Sequence, residues 1–133
     1  MRFAGLAVVV AVVGCLALAG TPALAMTPEG GDCVESAKNV KDVLACLQQE
    51  MGRQRDYLNT ALGKARTQSD PPRLAILNRM QQAWSAYRDQ YCDWRADLFR
   101  ADKEQSQLEK LQCLIDTTER QAQELEDDGT SPP

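Results

Sequence analysis

The chain has 133 residues, with 15 Lys and Arg against 19 Asp and Glu, and no histidine. The missing histidine excludes Ser-His and Cys-His nucleophilic catalysis. The acidic balance makes nucleic acid and anionic membrane poor partners and leaves a basic partner open.

Residues 1–25 read as a secretory signal peptide. Met1-Arg2 is a minimal positive start, Phe3 to Leu18 is almost wholly apolar, and Ala23-Leu24-Ala25 offers a small-x-small cleavage site. A second reading competes: Val12-Val13-Gly14-Cys15 resembles a lipobox, which would make Cys15 a lipidation site. Residues 16–25 stay apolar where a lipoprotein carries a polar tether, so release after Ala25 is preferred. The remainder suffices for one small domain.

Four cysteines follow: Cys33, Cys46, Cys92 and Cys113. An even number in a small exported chain implies disulfides. Metal ligation is disfavoured, because there is neither a Cys-x-x-Cys nor a histidine. Three pairings exist. Cys33–Cys46 with Cys92–Cys113 is favoured, each closing a loop of moderate length and stabilising by about 2–4 kcal/mol. On one straight helix Cys92 and Cys113 would lie about 30 Å apart. A disulfide tolerates only about 4.4–6.8 Å between Cα atoms. The chain must therefore reverse between them.

Residues 26–32 read as a flexible lead-in. Asn39 is a helix N-cap, with Asp42 in the capping-box position. Val40, Val43, Leu44, Leu47, Met51, Leu58 and Leu62 then recur at helical spacing, Gly52 and Gly63 are expected to interrupt this helix, and Gly52 allows a kink. Gln68-Ser-Asp-Pro-Pro72 ends this helix, and Asp70 with Pro71 opens the next. That second helix is expected over about 71–100. Its apolar stripe is Leu74, Leu77, Met80, Trp84, Tyr87, Tyr91, Trp94 and Leu98, centred on Trp84. A third helix begins at one of two caps, Asp102 with Gln105 or Ser106 with Glu109. It carries Leu108, Leu111, Ile115, Thr118, Ala122 and Leu125 inward. The expected fold is all-α: an antiparallel bundle of three to four helices over 33–126, stapled by two disulfides, with a disordered tail at 127–133.

The second helix carries a recognisable pattern. Gln81-Gln-Ala-Trp84-Ser-Ala-Tyr-Arg88-Asp89-Gln-Tyr-Cys92 resembles the core motif of the lysozyme inhibitor LprI-like N-terminal domain family. Asp32-Cys33, the Asn39 to Cys46 stretch, Leu58-Asn59 and Cys113 through Leu125 resemble its flanks. Leu62 stands where the family has Tyr, and the charged Arg100–Ser106 replaces its Gly-rich loop. The resemblance implies a helical, disulfide-bonded envelope protein whose namesake inhibits lysozyme.

Trp84, Tyr87 and Tyr91 are expected in the core. Arg88 is expected to bridge inside the bundle to a carboxylate or to Asn59, with Asp89 at the edge. No pair of carboxylates is spaced across a cleft as glycoside hydrolysis requires. The chain therefore reads as a non-enzyme without cofactor or metal. The leading functional expectation is an exported, periplasmic or secreted protein that binds and inhibits a basic lysozyme-type protein through Asp93, Asp97, Asp102 and Glu104. The alternatives are an envelope interaction or structural protein without lysozyme activity and, less favoured, a small-ligand carrier using the second helix's aromatics.

Overall fold

The computed structural model describes residues 26–130. The leader with its cleavage site, Cys15 and the last three residues lie outside the described residues. Four helices follow in order: α1 (Pro28–Ser36), α2 (Val40–Thr67), α3 (Pro71–Asp97) and α4 (Lys103–Thr130). Among the described residues there is no strand. The expected helical bundle with two disulfides is what forms.

Each helix starts where a side chain satisfies its first free N–H groups. Thr27 Oγ1 accepts from Gly30 N at 3.2 Å and opens α1, with Pro28 at its first position. Asn39 Oδ1 accepts from Asp42 N at 3.1 Å, and Asp42 Oδ2 accepts from Lys38 N at 3.1 Å. Asp70 Oδ1 accepts from Arg73 N at 2.9 Å, ahead of the Pro71-Pro72 pair. Of the two caps open for α4, Asp102 is the one used: its Oδ1 accepts from Glu104 N and Gln105 N, both at 3.0 Å. Ser106 instead donates to Ala96 O at 3.0 Å and ties the turn to the end of α3.

The structure corrects several boundaries. The lead-in at 26–32 is largely helical: α1 starts at Pro28, and Thr27 is hydrogen-bonded by the side chains of Glu50 and Arg53. Gly52 and Gly63 do not interrupt α2, which is one unbroken helix. The second predicted helix ends at Asp97 rather than near residue 100. The expected disordered tail is helical as far as Thr130. Glu126 explains this last difference, because its carboxylate accepts from Tyr57 Oη at 2.7 Å and Lys64 Nζ at 2.8 Å. Two long-range bonds hold the final turns against α2.

The last helix is the centre of the packing. Both α2 and α3 pack on α4, α1 lies on α2, and no comparable packing joins α2 to α3. α3 and α4 run antiparallel, as the Cys92–Cys113, Ala96–Ser106 and Asp93–Lys110 pairs show. α2 and α4 run parallel: Lys64 and Tyr57 both reach Glu126 near the ends of the two helices. The three long helices therefore alternate in direction along the chain, as an antiparallel bundle does.

Leu58, Ala61 and Leu62 of α2, Leu77 of α3, and Ala122 and Leu125 of α4 form one buried cluster. Further along, Leu47, Ile115, Cys92 and Cys113 are also sealed from solvent. Small residues on α3 (Cys92 and Ala96) allow the close approach of α4 there. Among the described residues, no helix is long and apolar enough to cross a membrane.

Candidate interaction surface

Both favoured disulfides are present. Cys33–Cys46 joins α1 to α2 with its Cα atoms 5.7 Å apart, and Cys92–Cys113 joins α3 to α4 at 5.5 Å. The second bond determines which face of α3 looks inward, and so which face is left for a partner.

The predicted α3 stripe divides at this point. Cys92 points at α4, so residues near it in helical phase turn the same way. Leu77 and Ala96 do so and are buried. Tyr87 lies about 140° from Cys92 and Trp94 about 160° from it, at 100° per residue. Both face water, with 63% and 62% of their surface exposed. Ile76, Met80 and Leu98 are exposed beside them. The aromatic core expected from Trp84, Tyr87 and Tyr91 is thus corrected. Trp84 and Tyr91 are half-buried and Tyr87 is outside, while the core proper is aliphatic. The physical reason is width. A stripe spanning nearly half the helix circumference cannot be covered by one neighbour, and α2 does not close over it.

Within the exposed face the rings are ordered against each other. Tyr87 and Tyr91 stack with centroids 5.7 Å apart and planes 11° from parallel. Tyr91 and Trp94 follow at 6.0 Å. The guanidinium of Arg88 lies 4.9 Å from the centre of the Trp84 ring. Its Nε and Nη2 both donate to Asp89 Oδ1, at 2.8 and 2.6 Å. The expected interhelical bridge of Arg88 is therefore absent. Its carboxylate partner is the next residue on the same helix, and Asn59 is exposed on α2.

The four acidic residues expected to meet a partner gather around the α3–α4 turn, and all are exposed. Asp93 pairs with Lys110 Nζ at 2.5 Å, and Asp97 with Arg100 Nη1 at 3.3 Å. Asp102 is the α4 cap. Glu104 alone of the four has a carboxylate with neither an ion pair nor a capping hydrogen bond among the described residues. Nearby, Arg95 and Glu109 join the two helices in a further pair.

A second polar centre was not legible in the sequence. Glu50 on α2 is fully buried. It accepts from Thr27 N at 2.9 Å, Thr27 Oγ1 at 2.7 Å, Arg53 Nε at 2.8 Å and Gln54 Nε2 at 2.8 Å. Burial alone would raise its pKa. The bonds from the Thr27 amide, Gln54, the Thr27 hydroxyl and Arg53 outweigh burial and hold the carboxyl below its ordinary value. On α4, burial pushes Glu119 up, with Asp116 and Glu50 adding like charge. Glu50 sits within the heptad-like spacing of α2, one turn after Cys46, and only that phase could have flagged it as inward-facing. Among the described residues, no group of three or more His, Cys, Asp or Glu side chains is placed to hold a metal ion.

The family profile described as lysozyme inhibitor LprI matches residues 33–125. The chain belongs to the lysozyme inhibitor LprI family. The LprI match runs from the first paired cysteine to the last buried leucine of α4, so it takes in both disulfides, the Trp84-Arg88-Asp89 motif and the apolar α2–α4 packing, and stops one residue short of Glu126. Thr27 and Gly30, which close over Glu50, lie just before it. Comparison with curated proteins and with solved structures gives no match. Two disulfides in so small a LprI-family chain suit an oxidising, extracytoplasmic setting.

Proposed function

We propose that the protein binds a lysozyme in the cell envelope or outside the cell and inhibits it, without catalysis of its own. The observation that carries this reading is the family match across 33–125. Export through residues 1–25, with release after Ala25, would deliver it there. Lipidation at Cys15 would tether it instead.

The contact we infer is the acidic end of the α3–α4 hairpin: Asp93, Asp97, Asp102 and Glu104. A basic enzyme would be steered toward this end, and the attraction would weaken with salt. Glu104 offers an unpaired carboxylate. The pairs of Asp93 with Lys110 and Asp97 with Arg100 are exposed on both sides, and such pairs contribute only about 0–1 kcal/mol. A partner's guanidinium can replace them at little cost.

Lysis of a cell-wall substrate by lysozyme, with and without the purified protein, tests the reading. We expect suppression of lysis. Asp93→Lys with Glu104→Lys should weaken it by about tenfold, as should raised salt. Absence of inhibition at large molar excess would refute it. The uncovered aromatic face of α3 favours a second reading, an envelope interaction protein with no lysozyme activity, and that reading would then stand.

A further inference from the structure

Ile76, Met80, Ala83, Tyr87, Tyr91, Trp94 and Leu98 lie along one face of α3 at spacings of three and four. Ile76, Met80, Tyr87, Trp94 and Leu98 are each between 44% and 69% exposed. The face spans residues 76 to 98, about 33 Å at the helical rise. Aromatic side chains carry about 150–250 Å² each, so three in one row approach the few hundred Å² at which an apolar patch marks an interaction site.

We propose that this face is the interface of an antiparallel homodimer, in which two α3 helices pack about a two-fold axis at Tyr87. The sequence along the face is self-complementary in this register and in this direction. With Tyr87 on the axis, Ile76 meets Leu98 of the second copy and Met80 meets its Trp94. Ala83, the one small residue in the row, meets Tyr91, the neighbour that stacks on Tyr87. Large faces small, as interdigitating helices require. A parallel pairing would set Trp94 on Trp94 and leave a gap between the two Ala83 positions.

Charge follows the same symmetry. In an antiparallel helix pair the same flank of each helix meets across the axis, as at g positions of a coiled coil. Arg79 and Asp97 occupy one flank of the face, equal in helical phase and equally far from residue 88 on either side. The two-fold therefore brings Arg79 of each copy toward Asp97 of the other, twice. Arg79 is exposed and has no ion pair among the described residues, while Asp97 has only the 3.3 Å contact to an Arg100 that is itself mostly in solvent. The occupant with matching size, apolar order and charge is thus a second copy of this chain. The inference does not rest on lysozyme binding, although Asp97 belongs to both surfaces, and its test contains no lysozyme.

Sedimentation equilibrium of the exported, disulfide-bonded protein measures the assembly directly. The expected result is twice the chain mass at about 100 µM, falling toward one on dilution. Trp94→Ser and Tyr87→Ser should each leave a monomer whose far-UV circular dichroism is unchanged, since both side chains are exposed. Arg79→Asp and Asp97→Arg place like charges opposite each other, and each should raise the dissociation constant by about tenfold. The double variant R79D/D97R should return it to within about threefold of the starting value. A monomer at about 100 µM overturns the proposal, as does a dimer indifferent to Trp94→Ser. A double variant as weak as either single overturns the antiparallel pairing.

Discussion

Gly30 has no room for a methyl group. A Cβ there would fall inside contact distance of Glu50 Oε2, 2.9 Å from Glu50 Cδ and 3.1 Å from Arg53 Nη2. A free carboxylate would swing aside. This one is fully buried, and Thr27, Arg53 and Gln54 hold it by four hydrogen bonds. The neighbouring glycine is a natural control, because a Cβ on Gly31 meets nothing within 4 Å. Gly30→Ala should therefore lower unfolding free energy by about 1–3 kcal/mol, the usual cost of overpacking. Gly31→Ala should leave it unchanged or slightly raised, because alanine favours the helix. Urea titration of the two variants side by side separates these outcomes, and equal stability would remove the packing argument. Gly30-Gly31 looks like a loop signal in sequence. It is helical here because backbone approach, not turn geometry, requires the glycine.

At the scale of elements, α3 depends on a single neighbour. It packs on α4 and scarcely on α2, so Cys92–Cys113 carries an unusual share of its attachment. Replacing both cysteines by serine should cost about 2–4 kcal/mol. It should also release α3 more than α2, which hydrogen exchange along the two helices would resolve. Uniform loss of protection would contradict this. The helices themselves were readable in advance, since Asn39, Asp70 and Asp102 cap where hydrogen-bonding side chains precede apolar periodicity. The orientation of α3 was misread for a definable reason. A stripe centred on Trp84 weighs every large apolar residue alike. Cys92 sits about 80° from that centre, and the covalent bond overrules the sum. Phasing the helix on its cysteine would have placed Tyr87 and Trp94 outside. Asn39 and Asp42 carried a local signal, whereas Glu50 and Thr27 did not, because their partnership spans 23 residues and depends on α1 folding back.

The whole molecule has titrating contacts at both ends of the pH scale. Glu50 is held below its ordinary 4.5. Its contribution to stability is complete above that value and is lost as pH falls through the lowered native one. Glu126, lowered by Lys64 and Tyr57, acts in the same direction. Glu119 is raised, so its ionised form is disfavoured in the fold and protonation there offsets part of the loss. At the alkaline end, the hydrogen bond to Glu126 pushes the Tyr57 phenol up to about 12 from 10.0. Its contribution is complete below 10 and lost as pH rises through about 12. Melting temperature against pH should thus fall on the acid side below 4.5 and again on the alkaline side above 10, with Tyr57→Phe flattening the second fall and, through the bond lost to Glu126, easing the first only in part because Glu50 is untouched. A profile unaltered by Tyr57→Phe would refute the assignment. The central position of α4 has a consequence in time as well as in space. Synthesis runs from the N-terminus, and nothing made before residue 103 contains the surface on which α2 and α3 bury their apolar residues. The contacts of α1 with Glu50 and the Cys33–Cys46 bond lie wholly within the first half of the chain. The core and the second disulfide must wait for the last helix, so the protein is assembled by the part of it that arrives last.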